Sequence, residues 1–214
     1  MIAKKDYLLV SIIGFLFGLL LLPVLKNIDF TLFELNFSNS VSVIIGFTIF
    51  AVIVLWIASL IGGKIPVVFQ FAKFGAIGAL NTLLDLGILN VLIFSSGIAF
   101  GYWYSIFKGS SFVVATINSY FWNKYWTFGV GGGVSIKEFS QFLVVSIIGF
   151  GINVGIASLV VNVIGPIGSI SLERWANIGA LSATIISLFW NFFGYKFIVF
   201  KPPSEPKSYP QAGA

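Results

Sequence analysis

Asp85 is the one acidic residue deep within a long apolar stretch of this chain, and it has the most chemistry to offer. An ionised carboxylate near mid-membrane costs about 2.5–3.5 kcal/mol or more unless it meets a partner or water. Asn81 lies four residues earlier and Gly78 three before that, so in a helix Phe74, Gly78, Asn81 and Asp85 share one face. Such a face can build a polar pocket that holds a sugar or gates a pathway. It can also carry a protonated or hydrogen-bonded structural carboxyl. Intramembrane ionisable groups favour the functional reading.

Asn153 stands 72 positions after Asn81, and Lys196 stands 72 after Lys124. The two asparagines could form a shared polar site, or serve as interhelical glue at about 0.6 kcal/mol each. Both lysines sit among aromatics, in Phe121-Trp122-Asn123-Lys124-Tyr125-Trp126-Thr127-Phe128 and Phe193-Gly194-Tyr195-Lys196-Phe197-Ile198-Val199-Phe200. They fit a phosphate or pyrophosphate on an anionic lipid headgroup, with Lys73 as a third member. They equally fit lysines that snorkel at helix ends and fix topology.

These spacings belong to an internal repeat. The same shift of 72 lays Asn90 on Asn162, Phe121 on Phe193 and Phe128 on Phe200. Self-similarity at this scale marks a bundle or carrier assembled from two equivalent units, with function near their junction. The equivalence breaks at Ala157, where the counterpart of Asp85 would stand, and at Gly194, where that of Trp122 would.

Composition narrows the class. The 214 residues are 58% hydrophobic and 9% charged, with a mean hydropathy of +1.03. A soluble domain carries about 25% charged residues, so the chain is expected to be integral to a membrane. Its net charge of +5 then speaks of topology and headgroup contact, not of nucleic acid. The chain has no cysteine and no histidine, which excludes disulfides, thiol nucleophiles, imidazole bases, haem and zinc sites. It has no Gly-rich phosphate loop with Lys and Ser/Thr, hence no visible ATP site. With seven acidic residues, mostly at loops and ends, no enzyme, catalytic residue, cofactor or metal is expected.

The elements that must position these residues are six apolar segments near the roughly 20 residues that span a bilayer. They fall near 7–25, 41–61, 72–95, 105–125, 142–164 and 175–197, each read as an α-helix because lipid offers the backbone no partner. Lys108 and several polar residues interrupt the fourth. The first is read as a retained helix, because Pro23-Val24-Leu25-Lys26, not a small-residue cleavage site, follows its apolar run. Lys4, Lys5, Lys64, Lys73, Lys124, Lys137, Lys196, Lys201 and Lys207 fall on the side of the termini, against Lys26, Lys108 and Arg174 on the other. That bias predicts a multi-pass cell-membrane protein with both termini cytoplasmic. Trp and Tyr near the helix ends form an aromatic belt.

The segment Asn27 to Ser40 is expected to lie along the outer interface, and the glycine run Gly129 to Ser135 to mark the repeat boundary. Gly14 with Gly18, Gly151 with Gly155, and Gly75 with Ala79 read as packing faces, the first of which could serve a homo-oligomer. The expected fold is thus an all-α polytopic bundle of six spans, with a four-helix core of two parallel two-helix repeats related by a pseudo-two-fold along the membrane normal. Its domains are an N-terminal two-helix extension (1–66), the four-helix membrane domain (67–200) and a disordered cytoplasmic tail (201–214).

The stretch Phe71-Ala72-Lys73-Phe74-Gly75-Ala76-Ile77-Gly78-Ala79-Leu80-Asn81-Thr82-Leu83-Leu84-Asp85, then Asn123-Lys124-Tyr125-Trp126-Thr127-Phe128 and Tyr195-Lys196-Phe197-Ile198-Val199-Phe200, resembles the GtrA-like family over roughly residues 69–200. The resemblance does not cover the first two spans. It implies the handling of polyprenyl-phosphate-linked sugars, moved across the cytoplasmic membrane for polysaccharide or cell-wall glycan synthesis. It also implies the alternative of a membrane anchor or scaffold for a polyprenyl-phosphate glycosyltransferase. In the first reading Lys124, Lys196 and Lys73 attract the lipid phosphate, while Asn81, Asp85 and Asn153 bond to the sugar. A small-solute or proton-coupled carrier is a third class, resting on Asp85 alone.

Overall fold

The computed structural model describes residues 3–27, 32, 34–98 and 100–201. Among the described residues it is all-α, with six α-helices and no strand. They are α1 (Lys4–Asn27), α2 (Phe37–Gly62), α3 (Pro66–Ser96), α4 (Gly101–Trp122), α5 (Ile136–Ser158) and α6 (Leu172–Gly194). Three wide, π-helical turns extend them: π1 (Asn123–Thr127) after α4, π2 (Leu159–Ile164) after α5 and π3 (Tyr195–Val199) after α6.

Local chemistry explains the helix ends. Asn36 caps α2, its Oδ1 accepting from the Asn39 N–H at 2.9 Å. Pro66 opens α3, where its missing N–H costs nothing, and Gly97 closes it in the left-handed region at φ 71°. The interfacial segment expected at 27–40 is therefore cut short, since Phe37 to Ser40 already form the first turn of α2. Residues 28–31 and 33 of that segment, and the tail from 202 onward, lie outside the described residues.

Five helices are, among the described residues, long and apolar enough to cross a membrane. The exception is α4, whose polar side chains lower its hydropathy. It nevertheless runs unbroken for 22 residues, or about 33 Å at 1.5 Å per residue.

The chain divides into two compact units, Met1–Gly129 and Val130–Ala214, at the glycine run. In the first, Val10, Ile13, Leu55, Ile77, Leu80 and Trp126 share one core, so α1 and α2 are packed with α3 and π1. Gly14 and Gly18 carry the contact between α1 and α2. A Cβ on them would lie 2.8 Å from Thr48 Cα and 2.7 Å from Ile44 Cα. This glycine pair is thus spent on a neighbour within the chain.

In the second unit α5 packs against α6 and π3. Phe142 stacks on Tyr195 at 4.4 Å between ring centroids, and the Ser146 and Tyr195 hydroxyls are 2.7 Å apart. A Cβ on Gly194 would lie 2.5 Å from Val145 Cγ1, so this position has little room for a side chain.

Candidate functional site

Along α3 in the first unit, Lys73, Asn81 and Asp85 are each answered by another helix. The nearest to the N-terminal end of α3 is Lys73. Its Nζ donates to Asp6 Oδ1 of α1 at 2.5 Å, and the Trp126 indole N–H of π1 donates to the same oxygen at 2.9 Å. The Ala3 N–H donates to Asp6 Oδ2 at 3.0 Å. Lys73 also lies over the Phe69 ring, 4.5 Å from its centroid. Both charged residues are buried. The ammonium read from sequence as a third phosphate ligand is therefore neutralised inside the chain.

Eight residues on, about 12 Å along the axis, Asn81 Oδ1 accepts from Asn118 Nδ2 of α4 at 2.7 Å. Asn81 Nδ2 is buried without a partner. A buried amide left with unused hydrogens is costly and calls for a reason.

One turn further, Asp85 accepts from two residues of α4, from Ser111 Oγ at 2.5 Å and from Lys108 Nζ in an ion pair. Asp85 and Asn81 do project from one face of α3, at i and i+4. The carboxylate is held by opposite charge and a hydroxyl, which offsets its desolvation in lipid. The Lys108 side chain keeps 42% of its surface exposed, against 20% for Asp85, so the pair is open on the lysine side. Lys108, read from sequence as an interruption of the fourth span on its outer side, sits two turns inside α4.

Lys124 falls in π1 and is buried, with only 1% of its surface exposed. It is flanked by Tyr120 and Tyr125, their ring centroids 5.8 and 5.7 Å from Nζ. Lys196 falls at the same place in π3, partly exposed, between Phe192 and Phe197, each 5.8 Å away. The wide turns close on matching bonds, Phe128 N–H to Asn123 O at 2.9 Å and Phe200 N–H to Tyr195 O at 2.8 Å. Such i→i+5 turns within helices recur at functional sites.

Asn153 belongs to the second unit, where its Nδ2 donates to Ser187 Oγ of α6 at 3.1 Å. The first unit thus gathers Lys73, Asn81, Asp85 and Lys124, and the second holds Asn153 and Lys196.

Sequence reasoning did not single out Asp6, Asn118, Ser111 or Lys108 as site residues. For Lys108 a signal existed: a lone cation inside one apolar span beside a lone anion inside the preceding span. Asn118 and Ser111 carried none, because polar side chains within an apolar helix are commonplace glue.

Concavities lined by described residues of the first unit include an apolar one and a polar one. One, of about 340 Å³ among α1, α2 and α3, is lined only by apolar residues such as Val10, Phe17, Phe47, Ala72 and Ala76. The other, of about 260 Å³, lies between α1 and the end of α4 with π1, and has Lys5, Asn118, Trp122 and Tyr125 in its walls.

The family described as GtrA/DPMS, transmembrane domain, matches residues 73–200, which begin at Lys73 and close with π3. An uncharacterized membrane protein of Bacillus subtilis (strain 168), YngA, is 31% identical over 128 residues, covering 60% of this chain and 77% of that protein. No solved structure matches the chain. With more than half of its length matched, including all three wide turns and the polar face of α3, the chain belongs to the GtrA/DPMS transmembrane-domain family.

Proposed function

We propose that the chain flips a polyprenyl-phosphate-linked sugar across the cytoplasmic membrane. Family membership supports a role related to lipid-linked sugar translocation in a multi-pass membrane protein, and GtrA proteins are generally not enzymes. The observation that carries the finer reading is the file of polar groups on α3 and α4, from Asn118 and Asn81 to Ser111, Asp85 and Lys108.

A sugar leaving water loses hydrogen bonds worth roughly 2–7 kcal/mol per polar group. The unpartnered Asn81 amide and the Asp85 cluster one turn on offer replacements about 6 Å apart. The polyprenyl tail stays in lipid throughout. Lys196, partly exposed in the second unit, and Lys124, buried at the equivalent turn of the first, each offer positive charge to a lipid phosphate. Lys73, neutralised by Asp6, ties α1 to α3. Asn153 with Ser187 supplies the second unit's polar contact. Both termini are cytoplasmic in this reading, following the lysine bias. Without a nucleotide site, exchange is passive or drawn by consumption of the product.

The test is a leaflet-reporter assay in reconstituted vesicles with a polyprenyl-phosphate glucose. Wild type should speed exchange above protein-free vesicles, and Asp85→Ala and Lys124→Ala should each cut it at least tenfold. Wild-type exchange at the protein-free rate would sink the reading. Co-purification with a glycosyltransferase in that same preparation would then favour the scaffold.

A further inference from the structure

We infer that α1 completes a binding cleft for a phosphorylated sugar, with Lys5 as the phosphate ligand and the aromatic side chains that end α4 as the sugar platform. The inference deepens the reading above and rests on it for the choice of ligand. The site itself lies partly outside the family-matched residues 73–200, because α1 supplies one wall.

Lys5 and Leu9 stand one turn apart on α1, and Asn118, Trp122 and Trp126 one turn apart from α4 into π1. Together with Tyr125 they enclose the 260 Å³ cleft. Its aromatic wall is preset. Trp122 and Trp126 meet edge to face at 5.7 Å and 74°, and Phe121 stacks on Tyr125 at 6.2 Å and 13°. Such a wall offers large, stiff faces to the apolar side of a sugar ring at little entropic cost. Asn118, its Nδ2 given to Asn81, retains Oδ1 as an acceptor for a hydroxyl.

Charge points the same way. Lys5 is exposed, and among the described residues no carboxylate pairs with it. Its neighbour Asp6 would repel an anion, but both oxygens are already taken, by Lys73 and Trp126 on one side and by the Ala3 N–H on the other. The net field at the cleft mouth is therefore that of an unanswered ammonium, which binds phosphate as a point charge. The apolar groove among α1, α2 and α3 has no such group. Asn118 further links the cleft to the Asn81 amide, placing it at the head of the polar file on α3.

The equivalent positions of the second unit do not repeat this lining. Trp190, Gly194 and Ile198 stand 72 residues after Asn118, Trp122 and Trp126, and Trp190 spends its indole N–H on Val145 O at 3.0 Å.

The test is equilibrium binding to the purified full chain in detergent, with two tritiated probes: a short-chain polyprenyl-phosphate glucose and glucose 1-phosphate. Lys5→Gln should weaken the lipid probe roughly tenfold, as loss of one charge-assisted contact predicts. Lys5→Arg should restore it, and Lys4→Gln, the same charge one residue away, should leave it unchanged. Trp122→Ala should weaken binding comparably. If both probes bind with similar affinity the ligand is a free sugar phosphate, whereas binding of the lipid probe alone makes it a headgroup. Unchanged binding in both Lys5→Gln and Trp122→Ala overturns the cleft even if flipping persists. Binding lost in those variants, with wild-type flipping absent, keeps the cleft and removes only the flippase.

Discussion

The two units carry the same aromatic frame and opposite chemistry. Tyr120 meets Phe121 edge to face at 5.5 Å, as Phe192 meets Phe193 at 5.3 Å. Phe121 stacks on Tyr125, as Phe193 stacks on Phe197. Each frame holds a lysine at the second residue of a π turn. Along the rest of each unit the likeness is partial, kept at Asn81 with Asn153 and at Asn90 with Asn162. Asp85, Lys108 and Ser111 of the first unit become Ala157, Ala180 and Ala183 at a shift of 72, and Lys73 with Trp126 becomes Val145 with Ile198. Stacked rings and wide turns are enough to set the helix pair, so the polar file is dispensable for the scaffold. A feature kept in only one of two like frames is the better candidate for function, since it cannot be explained by the frame.

The largest effect should come from turning the buried charge pair into its counterpart. Lys73→Val leaves Asp6 buried with its charge unanswered, which should cost about 3–5 kcal/mol. Thermal unfolding in detergent should show a large drop, and adding Asp6→Leu should recover most of it. A mild single-variant effect would mean that Asp6 does not depend on Lys73, and the comparison would lose its first contrast.

A smaller loss is expected at the open pair. Asp85→Ala strands Lys108 at membrane depth, at about 2.5–3.5 kcal/mol before the lysine relaxes toward its exposed side. The triple change Asp85→Ala, Lys108→Ala and Ser111→Ala copies the second unit and should unfold near wild type while exchange in vesicles is lost. Retained exchange with retained stability would show the cluster to be structural only.

The smallest effect sharpens the asparagine pair. Asn81→Ala and Asn153→Ala should each change stability by only about 0.6 kcal/mol. Asn81, with its unpartnered amide, should nevertheless reduce exchange more than Asn153, whose amide is held by Ser187. Equal losses of exchange would restore a symmetric site.

Much of the fold was legible because membrane burial leaves a chain few choices. Long apolar runs had to become helices, although α3 begins earlier, at Pro66, than the span expected near 72–95, and the repeat matched the residues that form π1 and π3. The i, i+4 relation of Asn81 and Asp85 was equally local and held. Partnership was not legible. The sequence put Lys73, Lys124 and Lys196 in one class, yet Asp6 claims the first, tyrosines enclose the second and the third is partly exposed. Lys108 looked like an interruption of a span because its charge was weighed without the carboxylate that answers it.

The sequence alone determined that this is an all-α membrane protein with a doubled unit, and where the doubling fails. Those conclusions rest on hydropathy, spacing and residue identity, which act along the chain. Only the tertiary structure decided which charges are spent and which remain. It brought Asp6 to Lys73 and Trp126 across more than 60 residues of chain, set α1 across a cleft from the end of α4 and π1, and left Lys5 exposed at that cleft. A lysine's availability depends on which carboxylate folding brings within hydrogen-bond reach, and residue spacing does not record that distance.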